Sequence, residues 1–160
     1  MDNLQTHFLY PSALYASKEP MLVHTILGSC VAVCLFDPLL KWGGINHFML
    51  PLWNGQGLAS PKYGNIAIEK LIEKLSFMGS NRKNLKAKIF GGGEVIESGI
   101  SQFKIGERNV RLAYDMMEEY KIPVISASVG GQSGRKIQFF TATGEVRQKL
   151  IPKTEPVLRI

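Results

Sequence analysis

Residues 31–36, VAVCLF, are apolar without interruption, rich in β-branched side chains, and closed by the turn pair Asp37-Pro38. Such a run is too short for a core helix and reads as a buried strand, apolar on both faces, around which a sheet has to be built. A second short strand, GGINHFMLP from Gly43 to Pro51, opens on a double glycine and closes on proline. The connection between the two is short enough for a hairpin.

The rest of the chain alternates between the two hydrophobic periods. NGQGLASPKYG, Asn54 to Gly64, is the chief loop candidate, dense in Gly, Pro, Ser and Asn. After it, Ile68, Leu71, Ile72, Leu75 and Met78 mark one face of a helix that Gly79 is placed to cap. A second helix is expected from Glu107 to Tyr120, with Val110, Ala113, Tyr114 and Met117 on one face and Pro123 barring its continuation. LKAKIF reads as a strand running into Gly91-Gly92-Gly93, and PVISASVGG and RKIQFFTATGEVRQKLI as strands with a turn at Thr143-Gly144. Strict β and α alternation fails near both ends. The expected class is therefore α+β, with mixed or antiparallel sheets flanked by two main helices in a single domain spanning residues 1–160.

Composition narrows the function classes. With 45% hydrophobic residues the chain can bury a core without disulfides or metal. No segment approaches the ~18 consecutive apolar residues of a membrane span, and MDNLQTHFLY has neither a basic n-region nor an apolar h-region, so a soluble cytoplasmic protein with no membrane insertion is expected. A net charge of +6 favours an acidic partner. The densest basic run, RKNLKAK from Arg82 to Lys88, has no aromatic residue for base stacking and reads as a solvated turn leading into a strand, so no nucleic acid is expected.

Two cysteines, Cys30 and Cys34, would sit about 13 Å apart on one face of a strand, beyond the ~7 Å limit for a disulfide, and are read as free thiols. His7, His24 and His47 are scattered and no metal site is expected.

Cys30 poses the chemical question. Gly28-Ser29 permits a tight bend immediately before it, which can expose the thiol and turn nearby N–H groups toward a substrate oxygen. A thiol nucleophile needs a base, and His47 lies on the strand expected to pair beside Cys30. Thr25 is a candidate to orient the imidazole through its hydroxyl. Against this stands the reading of Cys30 as a small core hydrophobe and of His47 as an ordinary strand histidine. Cys34, amid apolar neighbours, reads as core. FGGGEV fails the dinucleotide fingerprint and GGQSGRK lacks the ending of a phosphate loop, so both read as turns that shape a cleft wall. Arg135 stands either as a structural cation or as a contact for an acidic partner.

LGSCVAVCLFD followed by GGINHFMLP resembles the chemoreceptor glutamine deamidase family, CheD, and AKIFGGGE, IGERNV, GGQSGRK and TGEV resemble its later blocks in order, over most of residues 20–151. The resemblance implies an α+β sandwich similar to bacterial toxin deamidases, and a cofactor-free cysteine hydrolase that converts glutamines of methyl-accepting chemotaxis receptors, in their cytoplasmic helical region, to glutamate. Some members also hydrolyse receptor methyl esters. It places the catalytic Cys on Cys30, the His on His47 and the Thr on Thr25, with Gly28 and Ser29 as backbone support, and implies a CheC-type phosphatase as second partner. The mechanism expected from it has Cys30 ionised at a cleft, within proton-exchange reach of His47. Two rivals stay open: a non-catalytic adaptor for the phosphatase or receptor, and a cysteine amidase with another substrate.

Overall fold

In a computed structural model, which describes residues 4–94 and 104–152, the VAVCLF run is the middle strand of a five-stranded sheet. Its elements, in chain order, are β1 (Gln5–Phe8), β2 (Leu14–Ser17), β3 (Met21–Leu27), β4 (Val31–Asp37), β5 (Trp42–Asn46), α1 (Gly64–Met78), β6 (Lys86–Gly91), α2 (Ile105–Glu119), β7 (Val124–Val129), β8 (Gly134–Phe140) and β9 (Val146–Ile151). One sheet has the order β2-β5-β4-β6-β7 and the other β1-β3-β8-β9; each mixes parallel and antiparallel pairs.

The unbroken apolar pattern of β4 has a direct cause. Side chains alternate across a strand, and here both faces are covered. Val31, Val33 and Leu35 pack with Ile68, Leu71, Leu75, Ala113 and Met117 from the two helices. Ala32, Cys34 and Phe36 pack with Val23, Leu27, Ile137 and Phe139 from the four-stranded sheet. The result is three layers, helices on one sheet and that sheet on the other.

The expected β4–β5 hairpin forms, with Cys34 opposite Ile45 and Asp37 opposite Trp42. Helix α1 buries Ala67, Ile68, Leu71, Ile72 and Leu75 and ends at Gly79, whose φ of 116° is open to glycine at no steric cost. The N–H groups of Gly79 and Ser80 return to the carbonyls of Ser76 and Leu75, closing the helix as a left-handed cap. The basic run forms a 3-10 turn at Arg82–Asn84 and then enters β6.

One reading needs correction, and one long strand went unread. On α2 the buried stripe is Gly106, Asn109, Ala113, Met116 and Met117, and Tyr114 is 40% exposed, one position off that stripe. The strand β3 was not legible as one, because His24 and Thr25 interrupt its apolar residues. Its inward positions, Met21, Val23, Thr25 and Leu27, are nonetheless all buried.

Candidate active site

The chain leaves the four-stranded sheet at Leu27 and enters the five-stranded one at Val31, so Gly28, Ser29 and Cys30 form the corner between two layers. All three corner carbonyls are held. Gly28 O accepts from the Gly93 N–H at 2.9 Å, Ser29 O from Asn109 Nδ2 at 3.0 Å, and Cys30 O from the Gly92 N–H at 2.9 Å. In a trans peptide the N–H points opposite to its C=O, so anchoring these oxygens turns the amides of Ser29 and Cys30 the other way. Among the described residues neither amide donates to a backbone carbonyl.

His47 lies just beyond β5, where the ladder makes one more contact. Val31 and Phe48 exchange two hydrogen bonds, at 3.1 and 3.0 Å, and are thus a hydrogen-bonded antiparallel pair. Their side chains join the helix-facing core. Cys30 and His47, each one residue earlier in its own strand, are diagonal neighbours on the opposite, intersheet side, a relation that leaves Cβ atoms within about 8 Å. Cys30 packs against the intersheet cluster and is half-buried, while His47 is 2% exposed.

Thr25 arrives from the other sheet. Its Oγ1 lies 2.7 Å from the Leu9 carbonyl oxygen and 2.7 Å from His47 Nδ1. A hydroxyl has one proton, and a carbonyl only accepts. Both contacts are satisfied when Oγ1 donates to Leu9 O and Nδ1–H donates to Oγ1. That assignment places the imidazole proton on Nδ1 and leaves Nε2 with its lone pair. Thr25 is 1% exposed, so water does not compete for either bond.

Burial sets the charges. The His47 imidazole is pushed down to about 4 by desolvation and is neutral at physiological pH. The Cys30 thiol is raised by desolvation, with a smaller opposing effect from its own backbone amide. The expectation of an ionised Cys30 is therefore corrected: the resting pair is a neutral thiol and a neutral imidazole.

The remaining candidates sort by burial. Cys34 is fully buried and its thiol is raised further, in keeping with a core role. Arg135 is not a surface contact. It is buried and donates to Gly130 O at 2.8 Å, Gly91 O at 3.3 Å and Ser128 Oγ at 3.3 Å, tying the glycine turns together. His7 stacks on Tyr15 and His24 packs edge-on against Phe8. Sequence reasoning read the glycine turns as a cleft wall and missed one group, Asn109. The triple glycine is the inner wall of the corner: Gly91 has φ 108°, and a Cβ there would stand 2.2 Å from Cys30 O. Asn109 gave no signal, since a polar residue on an otherwise apolar stripe looks like a flaw in the pattern.

The corner thus sets a half-buried cysteine diagonal to a buried imidazole whose tautomer is fixed by a threonine, on a three-layer α+β domain. The comparisons narrow the class, and the chain belongs to the CheD family. Residues 49–150 match the family model described as CheD chemotactic sensory transduction. A "Probable chemoreceptor glutamine deamidase CheD" of Trichlorobacter lovleyi is 48% identical over 143 residues, covering 89% of this chain and 89% of that protein. Proteins of the same printed name are 42% identical in Sulfurimonas denitrificans (92% of this chain, 96% of that protein) and 38% in Rhodospirillum rubrum (94% and 85%). Among solved structures, the Bacillus licheniformis hypothetical protein YfiH overlaps 72% of this chain and 49% of its own at 16% identity and a TM-score of 0.47. The segment matched by the family model includes Asn109 and the glycine turns and begins after Cys30 and His47.

Proposed function

We propose that this chain is a hydrolytic deamidase that converts glutamine side chains of chemotaxis receptors to glutamate through a thioester on Cys30. The observation that carries this reading is the buried Thr25–His47 hydrogen bond, which leaves Nε2 of a neutral imidazole free as a base at the Cys30 corner. The reaction and substrate class follow the relatives named chemoreceptor glutamine deamidase.

In the proposed cycle His47 Nε2 takes the thiol proton as Cys30 Sγ bonds to the carboxamide carbon. The carbonyl electron pair moves onto oxygen, where the N–H groups of Ser29 and Cys30 receive it. Collapse breaks the C–N bond, and the nitrogen departs as ammonia with the proton from His47. A water then gives a proton to Nε2 and adds to the thioester carbonyl. The C–S bond breaks, sulfur regains the proton, and glutamate is released. One water is consumed, one ammonia leaves, and the proton count closes on His47. The same cycle with methanol as leaving group hydrolyses glutamate methyl esters. A CheC-type phosphatase is the second partner implied by the family resemblance. The receptor region modified lies in the cytoplasm, where this chain is proposed to act; no described helix is long and apolar enough to cross a membrane.

The test is the intact mass of a purified receptor cytoplasmic fragment after incubation with wild-type protein or Cys30→Ala. Exchange of NH2 for OH at each site, seen with the wild type alone, is the expected result. A fragment that binds and keeps its mass would instead make the protein an adaptor. Ammonia from other amides beside an unmodified fragment would make it an amidase with another substrate.

A further inference from the structure

The geometry points to Asn109 as a positioning residue for this reaction: its carboxamide replaces a missing rung of the ladder between the Cys30 and His47 strands. The inference rests on the deamidase reading for its activity readout and on backbone geometry for the rest.

Beyond the Val31–Phe48 pair, the next hydrogen-bonded pair in antiparallel register would be Ser29 with Leu50. It does not form. The Met49 and Leu50 N–H groups both donate to Lys62 O, at 2.8 and 3.1 Å, and Leu50 O accepts from Gly64. The strand after His47 has turned away to pair with the segment before α1, and the two chains splay at the point where Cys30 sits. This splay leaves the Ser29 amide clear of the ladder, and it also leaves Ser29 O and Met49 O facing a gap.

Asn109 closes that gap from the helical layer. Its Nδ2 donates to Ser29 O and to Met49 O, each at 3.0 Å. Both partners are carbonyls, so the nitrogen must be the atom placed there. The side chain is 0% exposed, and its two acceptors belong to partly buried residues. One planar amide thus sets the separation between the residue before Cys30 and the second residue after His47. Asp has the same shape and, ionised, no donor; in its place two carboxylate lone pairs would face two carbonyls.

The test uses the full chain with Asn109→Asp and Asn109→Ala, read in two ways. In deamidation of the receptor fragment, kcat should fall by about 100-fold, the loss expected of a small misplacement of reacting groups, with KM changed by less than about twofold. In labelling by iodoacetamide, resolved by peptide mass, Cys30 should react at lower pH than in the wild type, because a loosened corner admits water to the thiol. Lowered stability alone would also open the fully buried Cys34 to the reagent, so labelling that rises at Cys30 and not at Cys34 separates a loosened corner from general unfolding. Wild-type kcat in folded Asn109→Asp, or an unchanged labelling profile, would overturn the assignment.

The unmodified protein supplies a measurement that does not depend on a variant folding. The Asn109 side-chain amide protons should be slow to exchange with solvent and should shift in NMR spectra when Cys30 is alkylated; fast-exchanging protons indifferent to Cys30 would equally overturn it. If the wild type leaves the receptor fragment unchanged, the deamidase reading fails, and the labelling and amide signals still judge Asn109.

Discussion

Thr25 gives its single proton to the Leu9 carbonyl, so its contact with His47 runs from Nδ1–H to Oγ1, and that order is what makes the site directional. Thr25→Val removes the hydroxyl, leaves the buried Leu9 carbonyl without its donor at a cost of about 1–3 kcal/mol, and frees the imidazole to take the other tautomer. Deamidation should fall roughly 10-fold to 100-fold, short of the roughly 10²–10⁴-fold that a proton-transferring group supplies. Thr25→Ser, which keeps the oxygen, should retain most of the rate; equal losses in the two variants would remove the orienting role. His47→Ala should show the larger loss, and Cys30→Ser should give no turnover while keeping the fold. Because burial pushes the imidazole down to about 4, its lone pair persists through mildly acidic solution. The acid limb of kcat/KM is therefore expected near pH 4, and a limb near the ordinary imidazole value of 6.5 would show that burial does not depress the imidazole in the working enzyme.

At the scale of elements, the glycine turn after β6 connects packing to chemistry. Gly91→Ala places a methyl group 2.2 Å from Cys30 O in a left-handed backbone conformation, and backbone cannot yield as a flexible side chain would. The variant should lose more than about 1 kcal/mol in urea denaturation and most of its deamidation, since the group displaced is the corner itself. Wild-type stability and rate would mean that the wall is not in contact with the nucleophile. The elements legible in the sequence were those whose pattern was unbroken: β4 with six apolar residues, α1 with its stripe and closing glycine, the Thr143-Gly144 turn. The strand β3 was hidden because its inward face includes Thr25, a polar residue whose partners come from His47 and Leu9, far away in sequence. Cys30 and His47 were legible because a glycine bend and a neighbouring strand are local features. Asn109 was not, because its meaning lies in two carbonyls 80 and 60 residues distant.

For the molecule as a whole, the buried neutral imidazole couples stability to acidity. Above pH 6.5 His47 is neutral in both folded and unfolded chains and contributes no pH dependence. As pH falls from 6.5 toward about 4, the unfolded chain takes up a proton that the folded one refuses. Stability then declines by up to about 1.4 kcal/mol per pH unit, about 3 kcal/mol in all. Denaturation midpoints across that window should show this slope in the wild type and a flatter one in His47→Gln; parallel slopes would assign the acid sensitivity elsewhere. The three-layer arrangement has a further consequence for the life of the protein. Thr25 comes from one sheet, Cys30 from the corner between the sheets, His47 from the end of the other sheet's β5, and Asn109 from the helical layer, so no single layer carries the whole set. A chain still emerging from the ribosome, or one shaken partly open by heat, holds the same side chains with nothing to align them. On the proposed reading, the set is complete only in the assembled fold, and an immature molecule would lack the alignment needed to attack an amide.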